Sequence, residues 1–93
     1  MGIFSCKFSQ NAIDDLASLD NNCTKEVTLK IKTLREGDPK TLGKPTNHKS
    51  LPEYYCVCKS CAFLYDVYNS EKIEIEAVLT KSNFYRIVFE DRI

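Results

Sequence analysis

Residues 54–79 read YYCVCKSCAFLYDVYNSEKIEIEAVL, and three strands are written into that stretch. Over 72–79 the pattern alternates, with Ile73, Ile75, Ala77 and Leu79 on one side and Lys72, Glu74 and Glu76 on the other. A period of two marks a half-buried strand, because successive side chains leave opposite faces of the pleat. Residues 54–59 alternate in the same way, Tyr55 and Val57 against Tyr54, Cys56 and Cys58. Residues 62–68 are rich in aromatic and β-branched side chains, which suit a pleated surface. Asn69-Ser70 is a turn pair. Links this short join antiparallel neighbours, so the stretch predicts a three-stranded antiparallel meander.

Upstream, residues 3–8 alternate Phe4, Cys6 and Phe8 against Ile3, Ser5 and Lys7, which predicts a further strand. Ser9 offers an N-cap to a helix over 10–19, with Ile13, Leu16 and Ala17 at helical spacing. Asp20-Asn21-Asn22 is a turn cluster that ends it. Thr24 is positioned to cap a second helix over 25–36, where Val27, Ile31 and Leu34 form one apolar stripe. Gly37 stands where a left-handed C-cap belongs, and Asp38-Pro39 forbids continuation. Two short helices joined tightly make an antiparallel helical hairpin. From Asp38 to Pro52 the chain reads as a loop anchored by Leu42 and Leu51. The segment from Ser82, with Phe84, Ile87 and Val88, reads as a short C-terminal helix rather than another strand.

The expected architecture is therefore α+β: an N-terminal strand, the two-helix antiparallel hairpin, the meander completing a four-stranded sheet, and the short C-terminal helix. The hairpin packs on one sheet face, and the other is left to solvent or a partner. Residues 1–93 form a single domain, which is all that a chain of 93 residues affords. Its 43% hydrophobic and 28% charged residues argue against disorder. No apolar run approaches a membrane span, and the N-terminus carries no apolar signal region, so the expected location is cytoplasmic, away from membranes.

Five cysteines, an odd number without a secretory signal, read as free thiols in a reducing compartment. His48, Cys56, Cys58 and Cys61 do not follow a standard zinc-knuckle spacing, so neither metal nor cofactor is expected. The net charge is zero, yet residues 25–59 hold eight Lys/Arg against Glu26, Glu36, Asp38 and Glu53. A basic middle can face RNA or an acidic peptide, or simply be a solvated helix face and loop. Tyr54, Tyr55, Tyr65, Tyr68 and Tyr85 can stack on bases or merely furnish a half-exposed sheet.

The order of elements resembles the RelE/ParE family of toxins, and local sequence agrees. Residues 38–45, DPKTLGKP, resemble the family's loop after the second helix, and Leu51-Pro52-Glu53-Tyr54-Tyr55 its lead into the next strand. Phe63-Leu64-Tyr65-Asp66-Val67 and Ile73 to Leu79 resemble its following two strands. Thr80 to Tyr85 stand where many members read H-R-x-x-V-Y. The resemblance implies the toxin component of a toxin–antitoxin system that inhibits translation by cutting mRNA on the ribosome. It implies a cognate antitoxin as partner. Lys81, Tyr85 and Arg86 then become the catalytic candidates, and Lys44, Lys49 and Lys59 the RNA-binding ones. Cys56, Cys58, Ala62 and Thr80 occupy positions that carry basic residues or His in active members, so the expectation is an endoribonuclease with catalysis reduced or lost. The alternative is a ParE-like inhibitor of DNA gyrase, or an inactive partner-binding domain. The sequence sets no oligomeric state.

Overall fold

A computed structural model describes residues 4–69 and 71–90 of the chain. Ile3 of the expected first strand and Ser70 of the expected turn lie outside them. The chain runs β1 (Ser5–Phe8), α1 (Gln10–Ser18), α2 (Asn21–Glu36), α3 (Pro39–Leu42), β2 (Lys44–Pro45), β3 (Tyr54–Val57), β4 (Cys61–Tyr68), β5 (Lys72–Thr80) and α4 (Lys81–Tyr85), which continues as a π-helical turn over Arg86–Glu90. The meander forms as expected: β4 pairs antiparallel with both β3 and β5. β1 runs parallel to β5, giving the order β1-β5-β4-β3-β2.

The sheet has five strands, not four. Lys44 and Pro45, expected to lie in a loop, pair with Tyr55 and Tyr54. A two-residue edge strand suits proline, which has no N–H to give a further neighbour. Just beyond it Thr46 is buried; its N–H donates to the Glu53 carbonyl (2.9 Å) and its hydroxyl to the Pro52 carbonyl (2.7 Å).

Helix starts differ from the expectation at one end. Ser9 caps α1 as read, its hydroxyl accepting from Ala12 N–H at 3.1 Å. The cap of α2 is Asp20, not Thr24: its carboxylate accepts from Cys23 N–H at 3.0 Å, so the supposed turn cluster opens the helix. α1 turns Ala12, Leu16 and Leu19 toward the core, while Ile13 and Ala17 face outward. Gly37 closes α2 without entering the left-handed region (φ −117°); its N–H simply reaches the Thr33 carbonyl. Leu42 is not an anchor, being 49% exposed. Pro39, Gly43 and Thr46 are the buried members of that segment, and Leu51 is half-buried.

Both sheet faces are covered. On one, Val27, Ile31 and Leu34 of α2 pack with Phe63, Tyr65, Ile73 and Ile75. On the other, Phe84 and Val88 seal Ala62 and Leu64, with Leu51, Tyr55, Val57, Ala77 and Leu79 around them. The face expected to be open is thus closed by the C-terminal helix, whose start Thr80 caps by accepting from Asn83 N–H (3.2 Å).

A bulge in β5 makes this two-sided core possible. Tyr65 pairs with Ile75 and Leu64 with Ala77, so Glu76 is the extra residue. Ile73 and Ile75 pack toward the helical hairpin, but beyond the bulge Val78 takes that side and Ala77 and Leu79 join Phe84. The single inward face expected for Ile73, Ile75, Ala77 and Leu79 is therefore split, because one inserted residue reverses the parity of all that follow. The kink is fixed from α1: Asp15 accepts from Val78 N–H (2.9 Å), and Ser9 donates to the Glu76 carbonyl (3.1 Å).

Burial pushes the thiols of Cys6, Cys56, Cys58 and Cys61 and the Tyr65 hydroxyl above their ordinary values. The folded state therefore favours their protonated forms. That contribution is complete below the unfolded thiol value of about 8.5 and is lost as pH rises through the higher folded values. The urea midpoint is expected to hold steady from pH 6 to 8 and fall progressively toward pH 10. A midpoint unchanged at pH 10 contradicts this account.

Candidate functional site

Because β2 pairs only with Tyr54 and Tyr55, the outer edge of β3 has no strand beside it beyond Tyr55. A groove of about 330 Å³ opens there. Lys30 of α2 enters from the helical side, Lys44 of β2 flanks it, and Tyr55, Tyr85 and Phe89 form its aromatic wall. Burial raises the Cys56 and Cys58 thiols, while the Lys30 ammonium opposes that rise on both, which places its charge close to this edge.

The aromatic wall is an interlocked set. Tyr55 packs on Phe84 with ring centroids 4.9 Å apart, and Phe89 meets Tyr55 edge-on at 6.0 Å. Tyr85 and Phe89 stack at 5.8 Å and 29°. Phe84 is fully buried and fixes the others, while Tyr85 and Phe89 remain 45% and 42% exposed. Among the described residues no carboxylate lines this groove, whereas the neighbouring clefts each include at least one: Glu36, Glu26, Asp66 with Glu76, or Glu53 with Asp66. In a chain of zero net charge this is a locally cationic, aromatic surface.

Of the residues predicted from sequence, the groove gathers Lys44 and Tyr85. Lys81 begins α4 half-buried, one helical turn before Tyr85, and Arg86 follows Tyr85 with its guanidinium donating to Asn83 Oδ1 at 2.9 Å. Neither Lys81 nor Arg86 is among the groove's walls. Lys59 sits at the tip of the β3–β4 hairpin, in an adjoining cleft that shares Lys30 and Val57 with the first. That tip is tied to α2, since the Glu26 carboxylate accepts from Ser60 N–H (2.7 Å) and Ser60 Oγ (3.0 Å). Lys49 lies apart, in clefts with Asp66.

Cys56 and Cys58, at positions where the resemblance puts basic residues, share one side of β3 with Tyr54, as their alternation implies. That side packs into the cluster beneath the helices, with Cys56 buried, and Tyr55 and Val57 hold the opposite side of β3. The sheet residues that pack under Phe84 and Val88 on that side, Tyr55, Val57, Ala62, Leu64, Ala77 and Leu79, are uncharged, while Asp66 and Glu76 lie in a separate cleft with Leu64 and Leu79. Cations reach the groove only from its margins. Lys30 was missed because, beside the apolar stripe of Val27 and Ile31, it reads as solvated helix surface; the basic run over 25–59 was the available signal.

Among the described residues no group of three or more His, Cys, Asp or Glu is placed to hold a metal ion. His48 shares a hydrogen bond with Ser50 Oγ (3.1 Å) in the loop, while Cys61 is buried with its thiol toward the Cys23 carbonyl. No described helix is long and apolar enough to cross a membrane.

No protein-family profile matches the sequence, and no curated protein is recognisably similar to it. Solved structures are. The RelBE2 toxin–antitoxin complex from Mycobacterium tuberculosis contains a chain that superposes with a TM-score of 0.74 at 19% identity, over 88% of this chain and 95% of that one. The free-state structure of a double arginine-to-alanine variant of the E. coli toxin RelE gives 0.66 at 15% identity, over 100% and 99%. The chain has the RelE toxin fold from end to end.

Proposed function

We propose that this protein is a RelE-like toxin that inhibits translation by cutting mRNA on the ribosome, held in check by an antitoxin. The observation that carries the reading is the groove beside Tyr85: on a RelE fold, a cationic and aromatic surface, lined by no carboxylate among the described residues, sits against the C-terminal helix. The M. tuberculosis neighbour was solved as a toxin–antitoxin complex, which supports a partner of that kind here.

RNA cleavage by 2′-hydroxyl attack forms a bond from the 2′ oxygen to phosphorus and breaks the bond from phosphorus to the 5′ oxygen. It needs a base for the 2′ proton, cations for the charge on the phosphorane, and an acid for the departing oxygen. Tyr85 supplies a hydroxyl for proton transfer. Lys81, one turn earlier on α4, and Arg86, one residue later, supply positive charge near it. Lys44 and Lys59, with Lys49 farther off, hold the RNA backbone. The apolar sheet residues beside the groove offer no further cation for the phosphorane, so turnover is slow and requires the ribosome to position the message.

Expression of the wild-type protein is expected to produce discrete breaks in translated mRNA, mapped by primer extension. Naked RNA incubated with the purified protein should stay intact. Growth arrest with unbroken message would reject this reading.

A further inference from the structure

Lys30 carries no role in the reading above. Its placement gives it one. It rises from α2, on the helical side of the sheet, yet reaches the groove at the bare edge of β3. Across that groove stands Lys44, on the short edge strand that stops pairing at Tyr55. Both lysines are exposed. Facing them is the Tyr85–Phe89 stack, rings 5.8 Å apart with nearly half of each surface open. Glu26, one turn before Lys30 on α2, accepts two hydrogen bonds from Ser60 and lines the adjoining cleft that Lys30 also borders, outside the groove that holds Lys44 and Tyr85.

Two ammonium groups in a groove that no carboxylate lines among the described residues suit a phosphate, and an exposed aromatic pair lining the same groove suits an unpaired base. A base can stack on an aromatic side chain only where it is unpaired, so this groove of about 330 Å³ suits single-stranded RNA. We propose that Lys30 and Lys44 form a two-cation clamp on one phosphate of single-stranded RNA, seating the adjoining base on Tyr85 and Phe89. The clamp rests on the RNA-cutting reading for its biological sense, and it identifies where the message lies relative to Tyr85. Charge that the sheet face lacks is brought in from α2 and the edge strand.

The test is equilibrium binding of a short fluorescent single-stranded RNA to the purified protein over a range of salt concentrations. Each phosphate neutralised in a single strand contributes roughly 0.7 to the slope of log affinity against log salt. With both lysines on one phosphate, Lys30→Gln or Lys44→Gln alone should lower the slope by less than about 0.7, and the double variant should lower it by about 0.7 in all. Tyr85→Ala should weaken binding by about ten- to a hundredfold through lost stacking. Lys32→Gln, two residues along the same helix but in a different cleft, should leave the slope unchanged. Lysine-dependent binding by a protein that never cuts mRNA would uphold the clamp and reject the nuclease reading. Ribosomal cutting that persists unchanged in the Lys30→Gln, Lys44→Gln double variant would reject the clamp alone. No measurable RNA binding by the wild type, or a slope indifferent to both lysines, overturns it.

Discussion

Gly43→Ala is expected to lower the melting temperature by more than 10 °C, the largest stability loss of any single added methyl group in this fold. The backbone there is ordinary (φ −92°), so the demand for glycine is spatial. A Cβ at this position would lie 1.8 Å from the Tyr65 hydroxyl oxygen, 2.8 Å from Cζ of the same ring and 3.1 Å from the Tyr55 carbonyl. Tyr65 cannot move aside: it is fully buried between Tyr54 and Phe63, and its hydroxyl donates to the Pro39 carbonyl. Overpacking of this kind costs about 1–3 kcal/mol, and displacing the buried hydrogen bond costs about 1–3 kcal/mol more. In a domain of this size each kcal/mol moves the midpoint by about 4–8 °C. Tyr65→Phe alone should cost only about 1 kcal/mol, because the Pro39 carbonyl also receives the Gly43 N–H. Combining the two changes should cost less than their sum, since removing the hydroxyl relieves the worst contact. Thermal melts of the three variants decide the matter; a Gly43→Ala protein melting within two or three degrees of wild type would refute the packing argument.

That contact also shows where sequence reading stops. Residues 38–45 were legible as the loop of a known arrangement, but nothing local says that Gly43 lies under a tyrosine 22 positions later. The helices and the meander were legible because their cause is local: the stripe of Val27, Ile31 and Leu34 and the alternation through Ile73 and Ile75 report which side is buried. The β5 bulge was not legible. Its determinants are the Ser9 hydroxyl and the Asp15 carboxylate, more than sixty residues away. Missing it assigned Ala77 and Leu79 to the wrong face and left Val78 unexplained. Asp20 was misread for a different reason, since Asp, Asn and Ser favour both turns and helix caps.

The candidate site divides in the same way. Tyr85 and Lys44 could be named from motif resemblance, and one groove receives them both. The alternation of Tyr55 and Val57 against Tyr54, Cys56 and Cys58 was legible, but which of the two sides the helices cover depends on packing outside the strand. Lys30 and Phe89 carried no motif, and Tyr55 was legible only as one of several tyrosines able to stack on a base. Their meeting depends on a strand edge left bare where β2 ends, a property of the assembled sheet.

Lys81→Ala and Tyr85→Phe are each expected to reduce ribosome-dependent mRNA cutting by roughly 10²-fold or more, the size associated with a lost charge-stabilising or proton-transferring group. The two changes are structurally mild. Tyr85 is 45% exposed, and replacing it by Phe keeps the ring that stacks on Phe89 and Phe84. Lys81 occupies the first position of α4, where a cation is unfavourable to the helix dipole, so alanine there should not weaken the helix. A fall in cutting with unchanged melting temperature would therefore report chemistry rather than folding. Arg86→Ala should give a smaller loss, because its guanidinium is already engaged with Asn83 and must be released to meet RNA. The measurement is primer extension on a defined message from cells expressing each variant at matched levels. Cutting that survives both the Lys81 and the Tyr85 changes would show that the acting groups lie elsewhere, with the Lys30 and Lys44 margin of the groove as the next place to look.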